Sequence, residues 1–228
     1  MLTDPVLGSG IGHIRRTAPP PRRETLGSLD AVLISHAHHD HLDRASLRQV
    51  ARGCPAVAPR GCATLLRRSG IGDVMEVDAG DRVSIGGIEV EAVPATHDGR
   101  RYPISRPVAA LGYLLEGTAR VYFAGDTDIF PEMAELSGRV DVAALPVWGW
   151  GPRLPAGHLN PESAAEAVAL IRPRIAIPIH WGTLTAPGAQ RGEDPLAPPR
   201  AFATAAARLA PEVEVRILQP GQRVDLAQ

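Results

Sequence analysis

Four histidines fall within six positions of this chain, with an aspartate among them, in the segment His36-Ala37-His38-His39-Asp40-His41. The segment directly follows the short apolar run Ala31–Ser35, which predicts a buried strand. In extended chain, residues two apart point the same way, so His36 and His38 can share one metal ion, while Asp40 and His41 can address a second. Imidazole and carboxylate suit zinc and its first-row neighbours. A solvated loop has no reason to use histidine four times, so the cluster indicates a metal site.

Three further donors stand where predicted strands end. His97 ends an apolar run that begins at Val93, Asp126 follows the run 121–125, and His180 follows the run 175–179. Residues at strand exits are aimed by a rigid scaffold. Each alone is weak evidence, but with the cluster they supply seven donors for two metal sites.

The elements that must position these donors are short strands and short helices. Gly86-Gly87 predicts a hairpin within 74–94, and Asn160-Pro161 predicts a helix start. Further helices are expected over 45–52 (with Asp43 as N-cap), 63–68 and 202–209. Further strands are expected over 110–116, 120–124, 142–147, 175–179 and 213–218. A loop is expected over 186–200. Strands occur both in hairpins and in alternation with helices, so we expect mixed sheets covered by helices.

The motifs resemble those of a known family. His36-Ala37-His38-His39-Asp40-His41 matches the HxHxDH motif of the metallo-β-lactamase superfamily, and the later donors match its ligand order. The resemblance implies an α+β fold, an αββα four-layer sandwich of two mixed sheets flanked by helices, with a two-metal site at the sheet edges. By position, the first metal would be bound by His36, His38 and His97, the second by Asp40, His41 and His180, and both by Asp126. His39 occupies the variable position of the motif and is not expected to be a ligand.

Two segments resemble one branch of that superfamily. They are Thr3-Asp4-Pro5-Val6-Leu7 and Gly157-His158-Leu159-Asn160-Pro161-Glu162, and the branch contains L-ascorbate-6-phosphate lactonase and N-acyl-phosphatidylethanolamine-hydrolysing phospholipase D. Relatives usually begin with a strand hairpin before the Thr-Asp-Pro segment. We therefore expect residues 1–228 to form a single domain without that hairpin. An uncovered sheet edge would favour a homo-oligomer.

Composition excludes several other functions. The 228 residues include 24 basic and 25 acidic side chains, so the formal net charge is −1, which argues against a nucleic-acid partner. All the basic residues are arginine, which excludes a Schiff-base lysine and a phosphate-loop lysine. No apolar run reaches the roughly 18 residues of a membrane span. No signal peptide is expected, and Cys54 and Cys62 are expected to be reduced thiols of a cytoplasmic protein.

The expected reaction is hydrolysis. Two divalent ions, zinc first and manganese as the alternative, can hold a hydroxide that attacks a phosphoester, a phosphodiester or a lactone. The expected partner is a small anionic or ester substrate. Asp40, besides its role as a ligand, and His158 are the residues expected to take part in catalysis, with a hydrogen bond at the helix start as the alternative for His158. The competing functions are a metal-binding protein without turnover, a nuclease and an oxygen-reducing di-iron protein; di-iron relatives usually carry Glu at the position of His38.

Other side chains have two interpretations each. Asp4 could orient a ligand histidine or only form an Asp-Pro turn, and Ser35 is expected to hydrogen-bond at the strand end. Aromatic side chains that could wall the pocket or pack in the core are Trp148, Trp150 and Trp181. Arginines that could anchor a phosphate or lie solvated on loops are Arg100, Arg101 and Arg153.

Overall fold

A parallel sheet carries the segment that leads into the histidine cluster. The structure is a computed structural model, which describes residues 1–21, 23–50, 53–151, 154–189 and 194–226. Its strands are β1 (Leu2–Thr3), β4 (Val32–Leu33), β5 (Ala56–Pro59) and β6 (Val74–Val77), hydrogen-bonded in that order and all parallel. The predicted strand 31–35 is thus confirmed, although its paired part is only two residues long.

A larger, mixed sheet holds the other donors. Its antiparallel part comprises β7 (Arg82–Ile85), β8 (Ile88–Asp98), β9 (Ala109–Glu116) and β10 (Arg120–Phe123). Its parallel part continues from β10 through β11 (Val142–Pro146) and β12 (Ile175–Ile179) to β14 (Glu214–Val215). The hairpin at Gly86-Gly87 is confirmed, because Ile85 and Ile88 close the β7–β8 ladder.

The alternation of side chains on these strands produces four layers. Leu33 and Val57 of the small sheet pack with Val90 and Tyr113 of the large sheet in one buried cluster. The outer face of the small sheet packs against α1 (Arg44–Val50) and α2 (Ala63–Arg67). The outer face of the large sheet packs against α3 (Pro161–Ile171) and α4 (Ala197–Leu209). The αββα sandwich is therefore confirmed, with its smaller sheet wholly parallel rather than mixed.

The two side chains predicted as helix N-caps, Asn160 and Asp43, accept backbone N–H groups at the starts of α3 and α1. Asn160 Oδ1 accepts the backbone N–H groups of Glu162 (2.9 Å) and Ser163 (3.0 Å), with Pro161 in the first turn. Asp43 accepts the N–H of Ser46 at 2.9 Å at the start of α1. Both predicted caps are confirmed; residues 51 and 52, the predicted end of α1, lie outside the described residues.

The proline-rich segment before α4 was the main error of the sequence prediction. A loop was predicted over 186–200, but α4 begins at Ala197, with Pro198 and Pro199 in its first turn. Proline lacks only an N–H that has no partner at a helix start, so it begins a helix there instead of breaking one. The predicted strand over 213–218 was also too long, because only Glu214–Val215 pairs.

A third, small antiparallel sheet was not predicted. It comprises β2 (Gly10–Ile11), β3 (Ile14–Arg16) and β13 (Leu184–Thr185), in the order β13-β3-β2. Leu184 pairs with Arg16, and Thr17 N–H donates to the carbonyl of Thr183 at 2.8 Å. The sheet thus attaches the N-terminal segment to the chain that follows β12.

Candidate metal centre

The predicted donors meet at one edge of the sandwich. His97 lies near the end of β8, Asp126 follows β10, and His180 follows β12 directly. These strands run in the same direction, so their carboxyl ends share one edge of the large sheet. Leu111 N–H donates to the carbonyl of Ser35 at 2.9 Å, which brings the end of the small sheet to the same place.

His36, His38 and His97 form the first group of donors. Nε2 of His36 lies 2.9 Å from Nδ1 of His38, and Nε2 of His97 lies 3.2 Å from the same Nδ1. Their donor atoms all lie within 4.8 Å of one another. Three imidazole nitrogens are thus aimed at one point, as a single metal ion would require.

Asp40, His41 and His180 form the second group. Nε2 of His41 lies 3.5 Å from Oδ2 of Asp40 and 3.3 Å from Nε2 of His180. Nε2 of His180 lies 3.6 Å from Oδ2 of Asp40. All three side chains are largely buried. This set of two imidazoles and a carboxylate could hold a second ion.

Asp126 lies between the two groups. Its Oδ2 is 3.2 Å from Nε2 of His41, and its Oδ1 is 3.6 Å from Nε2 of His180. It also belongs to a close set of donor atoms with His97 of the first group. The side chain is 3% exposed, and its Oδ1 has no hydrogen-bond partner among the described residues. A buried carboxylate oxygen without a donor is costly in a folded protein, and a cation at this position would satisfy it.

Asp4 orients histidines of both groups through their Nδ1 atoms, the ring nitrogens that point away from the centre. Its Oδ2 accepts the Nδ1–H of His41 at 2.7 Å, and its Oδ1 accepts the N–H of Ser35 at 2.8 Å. Ser35 Oγ donates to Oδ2 of Asp4 at 2.5 Å and lies 2.9 Å from Nδ1 of His36. One carboxylate thus fixes a histidine of the second group directly and one of the first group through Ser35. The structure supports the orienting role of Asp4 over a simple turn.

Backbone carbonyls orient two more rings. His97 donates from Nδ1 to the carbonyl of Gly157 at 2.8 Å, and His180 donates from Nδ1 to the carbonyl of Trp148 at 2.9 Å. These bonds leave both Nε2 atoms facing the centre. His180 has φ +63°, a left-handed conformation that histidine tolerates better than branched residues and that costs about 1–2 kcal/mol. The turn aims its ring back at the sheet edge.

Glycine is required immediately before Asp126. Gly125 has φ +62°, and a Cβ there would lie 2.6 Å from Cβ of Ser35 and 3.1 Å from the carbonyl oxygen of Leu111. Any side chain would push the two sheets apart at the point where they supply donors.

The charge environment separates the two groups of histidines. Burial lowers the pKa of His97 to about 4 and that of His36 well below its usual value, so both are neutral at pH 7. Burial opposes protonation of His180, but Asp126 and Asp40 raise its pKa to about 9. Burial likewise opposes protonation of His41, whose pKa is nevertheless raised well above the usual value by Asp126, Asp40 and Asp4. The second group therefore holds protons that the first does not.

The two predicted ligand carboxylates ionise easily in spite of their burial. Burial opposes ionisation of Asp126, but His180 and His41 hold its pKa well below the usual value. Burial opposes ionisation of Asp40 too, and His41 and His180 again keep its pKa low. Neutral imidazole and ionised carboxylate are the ligand forms that divalent zinc binds. The donor set therefore fits one or two divalent cations once His41 and His180 give up their protons, and the residue types favour zinc or a first-row neighbour.

His158 lies beside this centre. Its Nδ1 donates to the carbonyl of Pro155 at 3.0 Å, and its Nε2 lies 3.4 Å from Oδ2 of Asp126. Its ring meets that of His97 edge to face, with 4.6 Å between centroids. The side chain is 16% exposed. Its assignment to substrate instead of metal remains a prediction.

The arginines predicted as phosphate anchors have other contacts. Arg101 donates to the carbonyls of Ala37 (3.0 Å) and Leu42 (2.9 Å), and its Nη2 lies 3.1 Å from Nδ1 of His39. It thus fastens both ends of the loop that carries Asp40 and His41, and its role as a phosphate anchor stays a prediction. Arg100 forms an exposed ion pair with Asp98. Arg153 lies outside the described residues.

Tryptophans wall the approach to the centre. Trp150 donates from Nε1 to Oδ2 of Asp40 at 3.0 Å and is 39% exposed. Trp181 is buried and donates to the carbonyl of Pro178, and Trp148 packs against the large core. A cleft of about 220 Å³ opens beside the second group; its lining includes Asp40 and His180, the two tryptophans Trp150 and Trp181, and Arg16. Sequence reasoning did not single out Arg16, because nothing in a short polar stretch marked it as part of a sheet.

The chain is similar in sequence to a known family and to several of its members. Residues 1–181 match the family model described as a beta-lactamase superfamily domain. A metal-dependent hydrolase of Methanopyrus kandleri is 34% identical over 200 residues, covering 85% of this chain and 80% of the relative. The N-acyl-phosphatidylethanolamine-hydrolyzing phospholipase D 1 of Caenorhabditis elegans is 34% identical over 209 residues, covering 80% of this chain and 58% of that one.

A solved structure agrees with these relatives. Igni18, a metallo hydrolase from the archaeon Ignicoccus hospitalis, is similar with a TM-score of 0.65 and 25% identity, covering 86% of this chain and 78% of that one. Among the described residues, no helix has both the length and the apolar character that crossing a membrane demands. The converging donors, the αββα sandwich and these similarities lead to one conclusion: the chain belongs to the metallo-β-lactamase superfamily and is a metal-dependent hydrolase.

Proposed function

We propose that this hydrolase uses two divalent metal ions, most simply Zn²⁺, to cleave a phosphoester, a phosphodiester or a lactone. The observation that carries the proposal is the position of Asp126: its oxygens lie 3.2 Å from His41 and 3.6 Å from His180 of the second group. One of its oxygens also lies within 4.8 Å of donor atoms of His158 and of His97 of the first group. A single buried carboxylate shared by two sets of imidazoles is what a two-metal site needs. The Caenorhabditis elegans relative, a phospholipase D, supports a phosphodiester within this substrate class.

In this proposal, each side chain has a defined part. His36, His38 and His97 hold the first ion, and Asp40, His41 and His180 hold the second, with Asp126 bound to both. When bound, two ions of this kind lower the pKa of a shared water and stabilise negative charge on the attacked group. No serine or cysteine nucleophile is needed. Cys54 and Cys62 are buried, and burial raises the pKa of the Cys62 thiol to about 12, so it is a poor nucleophile.

His158 is proposed to act on the substrate. Its Nδ1 is held by the carbonyl of Pro155, while Nε2 lies 3.4 Å from Oδ2 of Asp126. An imidazole in this position can hold a proton at Nε2 and pass it to the leaving oxygen, or donate a hydrogen bond to a phosphoryl or carboxyl oxygen. Asp40, tied to Trp150, contributes to catalysis as an oriented ligand.

Hydrolysis is tested with the metal content controlled. The chain is loaded with zinc, or with manganese, and assayed on bis(p-nitrophenyl) phosphate, p-nitrophenyl phosphate and a panel of lactones. We expect turnover of at least one class, its loss with chelator and its return with added metal. A fully loaded protein that is inert on every class would favour the competing function, a metal-binding protein without turnover.

The role of His158 is tested in the same assay. We expect His158→Ala to keep the metal content of the wild type and to lower kcat by about a hundredfold, as loss of a general acid does. Loss of one metal ion would instead make His158 a ligand. Unchanged kinetics with unchanged metal would make it a structural residue of the start of α3.

A further inference from the structure

Arg16 is a cation beside the candidate metal centre that has no carboxylate partner among the residues the structure describes. It is half-buried and lines the same cleft as Asp40 and His180. Its Nε donates to the carbonyl of Gly8 at 2.7 Å, and its Nη2 donates to the carbonyl of Val6. Both partners are neutral, and no ion pair of Arg16 exists among the residues that the structure describes.

The carboxylates in the same cleft are engaged elsewhere. Asp4 accepts from Ser35 and His41, and Asp40 accepts from Trp150. Burial lowers the pKa of Arg16 from the usual arginine value, with no acidic group offsetting it. Withdrawing a guanidinium from water without a counter-charge is costly, so a charged partner from outside the chain would gain from meeting it.

The third sheet holds Arg16 in this position. Arg16 ends β3, its backbone pairs with Leu184 of β13, and its N–H donates to the carbonyl of Ser9 at 2.9 Å. Only three residues separate His180 from β13. The sheet therefore ties the arginine to the chain that carries a predicted metal ligand, and two backbone carbonyls limit the directions that its remaining N–H groups can take.

We propose that Arg16, with Trp150 and Trp181 beside it, forms a subsite for a second anionic group of the substrate, a carboxylate or a phosphate that is not itself attacked. A planar guanidinium whose remaining donors are unpaired suits bidentate recognition of either group. The inference rests on the proposed function, because it assumes that the reacting group lies at the metal centre. It narrows the substrate to an ester or lactone that also carries a negative charge at a distance from the scissile bond.

The test compares anions with one charge and with two. Zinc-loaded protein is titrated with succinate, glutarate and adipate and with the monoacids of the same length, butyrate, valerate and hexanoate, by following tryptophan fluorescence. Phosphonoacetate and phosphonopropionate form the second arm, which distinguishes a carboxylate subsite from a phosphate subsite. We expect one doubly charged ligand to bind about tenfold or more tightly than its monoacid, as one charge-assisted hydrogen-bonded contact provides.

Substitutions test whether the guanidinium of Arg16 causes the preference for doubly charged ligands. Arg16→Gln should abolish it with zinc content unchanged, whereas Arg15→Gln, an exposed neighbour on the same strand, should keep it. If Arg16→Gln fails to fold, Leu184→Glu replaces it, because a carboxylate directly across the ladder neutralises Arg16 without removing its carbonyl bonds. Leu184→Gln is its uncharged control.

Three outcomes would overturn the inference. They are equal binding of monoacids and diacids by the wild type, a preference that survives in Arg16→Gln, and a preference that survives in Leu184→Glu. A role limited to holding Val6 and Gly8 would lower Tm in Arg16→Gln and leave the binding ratio unchanged. Binding is measured without turnover, so an inert protein would count against the proposed function but not against the subsite.

Discussion

Replacement of Asp4 by asparagine should weaken the second metal site more than the first. Asp4 has φ +40°, which asparagine tolerates better than alanine does, so Asp4→Asn changes the charge with little change of the backbone. The amide can still accept from Ser35 N–H, but its NH₂ group cannot accept the Nδ1–H of His41, which Oδ2 of Asp4 accepts at 2.7 Å. His41 would then favour the tautomer with its proton on Nε2, the atom that faces the centre.

The size of the effect follows from these contacts. Loss of an outer carboxylate that orients a ligand histidine costs about 10- to 100-fold in metal affinity, or about 1.4–2.7 kcal/mol. The first site feels the change only through Ser35, whose Oγ lies 2.9 Å from Nδ1 of His36, so its loss should be smaller. Asp4→Asn should therefore separate two zinc dissociation constants that lie closer together in the wild type.

The assay is competition with a chromogenic chelator, with metal analysis of the same samples. Asp141→Asn is the matched control: it removes the same charge from a carboxylate paired with Arg120, just before β11 and so at the opposite end of that strand from the metal centre. It should leave both zinc constants unchanged. Two constants within about twofold of the wild type in Asp4→Asn would refute the reasoning, since the hydrogen bond would then contribute nothing to ligation.

The remaining predictions concern the centre itself. The purified chain should hold about two divalent ions by elemental analysis, and Asp126→Ala should lose the most metal because that carboxylate faces both groups; trace metal after careful reconstitution would contradict this. Zinc loading near pH 7.5 should release about two protons, because the pKa values of His41 and His180 are raised, that of His180 to about 9. The number of protons released should fall as the pH rises through about 9. Calorimetry in buffers of different ionisation enthalpy measures this number, and a value of zero would contradict protonation of the two histidines. Gly125→Ala should lower Tm by several degrees and reduce metal content together, because its Cβ would press on Ser35; a wild-type Tm would show that the sheets yield there.

The sequence predicted the centre better than its surroundings for a physical reason. A metal site concentrates rare residue types at strand ends, so His36, His97 and His180 could be recognised as members of one set. Their supports are common groups: the carbonyls of Gly157 and Trp148 orient two rings, and no residue type marks a carbonyl acceptor. Asp4 could be considered only as an alternative, because its contact with His41 spans 37 residues.

The fold, too, was predicted well in some elements and missed in others. Apolar runs predicted the parallel strands β10, β11 and β12 of the large sheet closely, including 175–179. Alternation around Gly86-Gly87 predicted the β7–β8 hairpin. The third sheet escaped prediction since its strands are two or three residues long and β13 pairs with β3 across nearly the whole chain. The start of α4 escaped because its prolines resemble those of a loop until the helix that follows them is known.

The pairing of β3 with β13 also sets an order of events during synthesis. Thr17 bonds the carbonyl of Gly182, 165 residues further along the chain. At the usual elongation rates, the ribosome needs about 10–30 s to make that stretch, and throughout this time β3 can pair only with β2, while its other edge waits for β13. High contact order of this kind slows folding. The second group of donors, which includes His180, can therefore form only after nearly the whole chain has emerged, whereas the first group is complete in sequence once His97 has been made.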